Sequence, residues 1–195
     1  MKKEIYVDKY LNYITNMFES FFPKPKLFLI SLLVWVSFVV SFYYLFGQSL
    51  AGNLGFDLAA EKKTVIGLGY FITPDFLWFD IYYIVATLIF YFFWSFYSPH
   101  KWQTWSILGS SLLILMAYLT VQVSVVINAW YGPFYNDVQK ALNGNGEVTA
   151  SDLYDHLAVF CIIVFPYIVF VPLKLFFTSH YVFRWRNAMN DYYLE

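Results

Sequence analysis

Residues 105–135 read WSILGSSLLILMAYLTVQVSVVINAWYGPFY, and no charged side chain occurs anywhere from Trp102 to Asn136. As a helix rising about 1.5 Å per residue, thirty such residues reach roughly 45 Å, well past the roughly 30 Å hydrocarbon core of a bilayer. The run is two-faced. Ser106, Ser110, Ala117, Thr120, Ser124, Asn128 and Tyr131 follow one another by three, four or seven and so form one stripe of a helix, while Leu112, Leu115, Leu119, Val123 and Val126 lie on its other sides. A small-and-polar stripe on a lipid-spanning helix faces something other than lipid, either another helix or water. For Ser106 to Ala117 the small residues favour helix packing. For Thr120 to Tyr131 packing and cavity lining stand equally open.

Composition agrees with a bilayer as solvent. Of 195 residues 60% are hydrophobic, 24% aromatic and only 13% charged, against about a quarter charged in ordinary soluble domains. Twenty-two Phe and 18 Tyr exceed what a soluble core of this size can bury. The single cysteine, Cys161, sits in an apolar run. It excludes an internal disulfide framework and reads as a buried structural thiol.

Working outward, residues 1–26 precede the first span. Val7, Tyr10, Leu11, Ile14, Met17, Phe18 and Phe21 share one helical face opposite Asp8, Lys9, Asn12 and Glu19, which predicts an amphipathic helix lying in the headgroup plane, stopped by Pro23 and Pro25. Spans are expected over about 27–46, 76–97, 105–131 and 157–177, with a cytoplasmic helical extension over 178–195, so that 27–195 forms a partial transmembrane domain. Ser49-Leu50-Ala51 resembles a signal-peptidase site, but the preceding apolar run is too long for a signal peptide and reads as an uncleaved anchor. Trp78, Tyr82 and Tyr83 read as one interfacial belt of the second span, Trp94 and Tyr97 as the other. The short turn at 98–102 makes the second and third spans antiparallel neighbours. Pro133 is expected to kink or restart the third helix, Asn143-Gly144 to end it, and Thr149-x-x-Asp152 to cap the fourth, in which Pro166 and Pro172 mark bends. Lys174 reads as snorkelling to the boundary.

With a cytoplasmic amino terminus, nine of the twelve basic residues fall on inner segments (Lys2, Lys3, Lys9, Lys24, Lys26, Lys101, Lys174, Arg184 and Arg186), leaving Lys62, Lys63 and Lys140 outside. This bias places both ends in the cytoplasm.

No metal-binding helix pair, nucleophile elbow or phosphate-cradling Gly-rich loop is present, so the sequence points to neither an enzyme nor a cofactor. Its basic residues follow the membrane topology and make no nucleic-acid footprint. His180, Arg184, Asp191 and Glu195 recur at i, i+4, i+11 and i+15, one helical face past the last span. That face reads as a solvated stripe of paired charges, with proton exchange by a carboxylate in a partly desolvated cavity as the alternative.

Four segments carry a family resemblance. Ser20-Phe21-Phe22-Pro23-Lys24-Pro25, Tyr97-Ser98-Pro99-His100-Lys101-Trp102-Gln103-x-Trp105-Ser106-Ile107-Leu108-Gly109, Asn128-Ala129-Trp130-Tyr131-x-Pro133-Phe134-Tyr135 and Ser179-His180-Tyr181-Val182-Phe183-Arg184-Trp185-Arg186 resemble, in order, the SbmA/BacA peptide-antibiotic transporters. The resemblance implies an all-α inner-membrane homodimer of Gram-negative bacteria that imports peptides and peptide-like antibiotics on the proton gradient. It also implies a membrane fold similar to ABC exporters, without an ATP-binding domain. Family chains are about twice this length, so the resemblance is to the amino-terminal half, and on that basis residues 1–195 alone are not expected to transport. Of the family's proton-handling carboxylates only the position of Asp191 is represented, with Asp where Glu is usual, and Asn136 replaces the usual Asp after Phe134-Tyr135. In this reading Asn128, Trp130, Tyr131 and Tyr135 line the outer peptide pathway, and His180, Arg184, Asp191 and Glu195 sit on the cytoplasmic side. The runner-up is the membrane half of an ABC-type transporter powered by ATP, since related families share a Trp-Tyr-x-x-Phe-Tyr element. A non-transporting scaffold subunit is the third class.

Overall fold

The computed structural model describes residues 17–58, 65–144 and 148–194. Most of the expected amphipathic helix, including Val7 to Ile14, lies outside them. The described chain is all-helical. α1 is Pro25–Asn53, α2 Pro74–Tyr97, α3 Ser110–Leu142 and α4 Ala150–Leu194; a 3-10 turn, Leu68–Ile72, precedes α2, and a π-helical turn, Thr104–Gly109, leads into α3. All four helices are long and apolar enough to cross a membrane, and little of their most apolar surface is covered by protein. Ile30, Leu33 and Val34 of α1 and Phe165, Ile168 and Val169 of α4 are each at least 60% exposed, which is consistent with a multi-span membrane protein.

Local chemistry sets the ends. Pro25 and Pro74 open α1 and α2 at the position where a missing N–H costs no intrahelical bond. Lys24, before Pro25, is held at φ 43°, left-handed space that a side chain disfavours. α1 runs on to Asn53 and closes at Gly55 (φ 87°), so Ser49-Leu50-Ala51 is helical, with Ala51 fully buried. α3 ends as the Asn143-Gly144 signal predicts, with Gly144 at φ 71°. At the start of α4 the Thr149 N–H and hydroxyl both donate to Asp152 Oδ2, at 2.7 and 2.8 Å. The helices do not restart at proline. α3 passes through Pro133, and α4 through Pro166 and Pro172, as single elements.

The helices run as antiparallel neighbours, tied by aromatic side chains whose polar tips reach across. Tyr82 donates to the Val39 carbonyl (2.7 Å) and Trp35 to the Ala86 carbonyl (3.3 Å), joining α1 to α2; Tyr83 donates to the Ser111 carbonyl (2.9 Å), joining α2 to α3. Trp78 and Trp94 are 3% and 0% exposed, so these two rings of the predicted interfacial belts pack inside, while Tyr97 of the second belt is exposed. Trp94 joins Phe28, Phe90 and Ile107 in the central apolar cluster. Phe18, Phe21 and Phe22 dock on α4, with Phe21 stacked on Trp185 at 5.5 Å. Cys161 is exposed, against expectation: its neighbour Phe160 packs on Trp130 while Cys161 does not share that buried side, so apolar surroundings in the sequence did not mean burial.

Candidate functional site

Two clusters hold the residues of interest, one where α3 ends and α4 begins and one near the 98–103 turn. Near the first, Asn128, Tyr131 and Tyr135 are exposed, and the two tyrosine rings stack at 5.7 Å and 18°. Residues 131 and 135 are one helical turn apart, so the rings lie one above the other and form an open aromatic shelf. Trp130 points the other way. It is 4% exposed, stacks on Phe134 at 4.6 Å, meets Phe160 at 4.7 Å, and its indole N–H donates to the His156 carbonyl at 2.8 Å. A helical step of about 100° separates neighbours, so Trp130 seals α3 against α4 while Tyr131 remains outside. Just beyond, His156 Nε2 lies 2.9 Å from Asp137 Oδ2, and Lys140 Nζ 3.8 Å from Asp137 Oδ1. These line an open cavity of about 430 Å³ with Asp152 and Asp155.

Near the second turn, Trp105 on the π-helical segment meets His180 at 5.1 Å, and the Arg184 guanidinium lies 5.1 Å over the Trp105 ring. Arg184 Nε donates to His180 Nε2 at 3.2 Å. The structure therefore brings His180 and Arg184 together as the i, i+4 spacing predicts, and adds Trp105 from a separate element. Asp191 does not join them. Its Oδ2 pairs with Lys101 Nζ at 2.7 Å, with the side chains 40% and 69% exposed. Glu195 lies outside the described residues. In the same turn the Trp102 N–H donates to His100 Nδ1, and burial lowers the His100 pKa.

An exposed pair of this kind is worth about 0–1 kcal/mol. Asp191→Asn should therefore lower unfolding stability in detergent by less than about 1 kcal/mol at low salt and have no effect in molar salt. A larger, salt-insensitive loss would mean that Asp191 is not the solvated partner this geometry makes it.

Sequence reasoning missed two features. Asp137 and His156 lie at similar distances in sequence from residues 143–149, so hairpin symmetry was the available signal for their pairing. The second feature is a cavity of about 440 Å³ between α1, the 65–73 segment, α2 and α3, lined by Tyr43, Tyr70, Asp75, Tyr118 and Ala129. At its edge Tyr70 donates to Gln122 Oε1 at 2.7 Å, and no local pattern announced it.

The π-helical Trp105, the buried Trp130, the Tyr131–Tyr135 shelf and the His180–Arg184 pair all fall in the two carboxy-terminal helices and the turn before them. That same portion, residues 99–195, matches the SbmA/BacA-like family.

Proposed function

We propose that this chain serves the import of peptides and peptide-like antibiotics across the bacterial inner membrane, driven by the proton gradient. In this reading it forms the amino-terminal half of an ABC-exporter-like transport domain that works as a homodimer. The observation that carries the reading is the exposed face of Asn128, Tyr131 and Tyr135 at one end of a membrane-length helix. Stacked aromatic faces beside an amide suit peptides of varied sequence, because they bind prolines and backbone amides without demanding one side chain. The family match over residues 99–195 supports it. The basic bias then puts the 98–103 turn and the end of α4 in the cytoplasm and the end of α3 outside. The ABC-type alternative keeps the same helices but draws on ATP; the Trp130-Tyr131-x-x-Phe134-Tyr135 element supports it.

Uptake separates the two. Cells carrying the gene should accumulate a fluorescent proline-rich peptide several-fold over a deletion strain, and a protonophore should abolish the difference at unchanged ATP. Accumulation that follows ATP and ignores the protonophore supports the alternative. Equal accumulation in the two strains refutes peptide import.

A further inference from the structure

Lys174 stands where a lipid-spanning protein has least reason to keep a charge. Its Nζ donates to Thr120 Oγ1 at 3.1 Å, and Thr120 donates its own proton to the Met116 carbonyl at 2.8 Å. Thr120 lies midway along the uncharged stretch 103–136, about 24 Å by helical rise from either limit. The contacts on both sides keep one antiparallel register: Trp105 against His180, Ser110 Oγ 2.7 Å from the Tyr181 hydroxyl, and Trp130 against Phe160. Lys174 therefore does not snorkel to a boundary as the sequence alone predicts. Its ammonium turns onto Thr120, three turns into α3.

An ammonium carries three donors, and a hydroxyl takes one of them without neutralising the charge. Among the described residues, no carboxylate pairs with Lys174. Asp80 of α2 lies at a similar level, but its neighbour Phe79 packs on Tyr118, two residues from Thr120 and so on another face of α3. A cation among apolar helix faces without an anion is disfavoured and marks a functional position. From Thr120 the polar stripe continues through Ser124 to Asn128, beside the aromatic shelf. That is eight residues, or about 12 Å, the reach of roughly four extended peptide residues.

We propose that Lys174 receives the C-terminal carboxylate of the transported peptide, which lies extended along the Thr120–Asn128 stripe with its upstream residues on Tyr131 and Tyr135. This rests on the peptide-import reading and adds to it the end of the peptide that is recognised and the residue that recognises it. A carboxylate supplies both the missing charge and acceptors for the remaining two donors.

The test uses one labelled proline-rich peptide in two forms, free acid and C-terminal amide, with binding to the detergent-solubilised full chain read by fluorescence anisotropy. The protein should bind the acid about tenfold more tightly than the amide. Lys174→Gln should bind both forms at the amide's level, and Lys174→Arg should keep the preference. A preference that survives in Lys174→Gln overturns the proposal. So does equal binding of both forms by the unmodified protein, which would assign the counter-charge to a carboxylate of the protein itself, such as one from a second copy. The acid–amide comparison on the unmodified protein decides even where Lys174→Gln folds poorly. Binding of neither form would refute the peptide-import reading along with the proposal, and so differs from failure of the proposal alone.

Discussion

Trp130→Ala should destabilise the protein by roughly 3–4 kcal/mol in a reversible detergent unfolding titration. The indole is the main body between the end of α3 and the start of α4, stacked on Phe134 and set against Phe160. Its removal forfeits dispersion contacts that lipid tails do not refill, and it loses the indole hydrogen bond that ties α3 to the His156 carbonyl of α4. Trp130→Phe separates the two contributions. It keeps most of the ring contact and loses the hydrogen bond, so the expected cost falls to about 1 kcal/mol. Were Trp130 instead a pathway residue with little packing role, both variants would keep wild-type stability and differ only in peptide binding.

The second large effect is at the other end of the same helix pair. A Cβ placed on Gly109 would stand 3.0 Å from Tyr181 Cδ2 and 3.4 Å from Trp105 Cε3. The glycine lets the π-helical turn approach α4 closely enough for Ser110 Oγ to reach the Tyr181 hydroxyl at 2.7 Å. Gly109→Val adds two further methyl groups into that contact and should cost about 1–3 kcal/mol, with the loss of the Ser110–Tyr181 bond included. Gly109→Ala should be nearly neutral, because a gain of about 1 kcal/mol in helix propensity offsets the single tight contact. Equal stability of the valine variant and the wild type would mean that α3 and α4 separate at this level without penalty.

Features that depend on near neighbours in sequence were legible. The glycine stop after α3 and the Thr149–Asp152 cap each follow from the chemistry of three or four residues, and the structure has them, whereas Pro25, read as the stop of the helix before it, opens α1. Four apolar runs gave four long helices for the same reason. Of the two outcomes expected at Pro133, a kink or a restart, the restart does not occur: α3 passes through it and runs on to Leu142. What depends on a partner helix was not legible. A period of 3.6 tells that Trp130 and Tyr131 face different ways, but not which of them meets α4. Likewise the i, i+4 spacing drew His180 and Arg184 together correctly. It could not show Trp105 beneath them, or that Asp191 turns to Lys101 on the far side of a turn. Lys174 looked like a boundary residue because three hydrophobic residues follow it; only the α3–α4 register places it beside Thr120.

The claim at the centre of this account is that the Asn128–Tyr135 face of α3 opens to water outside the cytoplasm and receives peptide. Single cysteines at Asn128, Tyr135 and Phe165, each in a Cys161→Ser background, test it in intact cells with a membrane-impermeant maleimide. Asn128→Cys and Tyr135→Cys should label, excess proline-rich peptide should slow both by several-fold, and Phe165→Cys, on the exposed lipid-facing side of α4, should not label. Labelling at Phe165 but not at Asn128, or labelling at Asn128 that peptide leaves unchanged, would contradict the account.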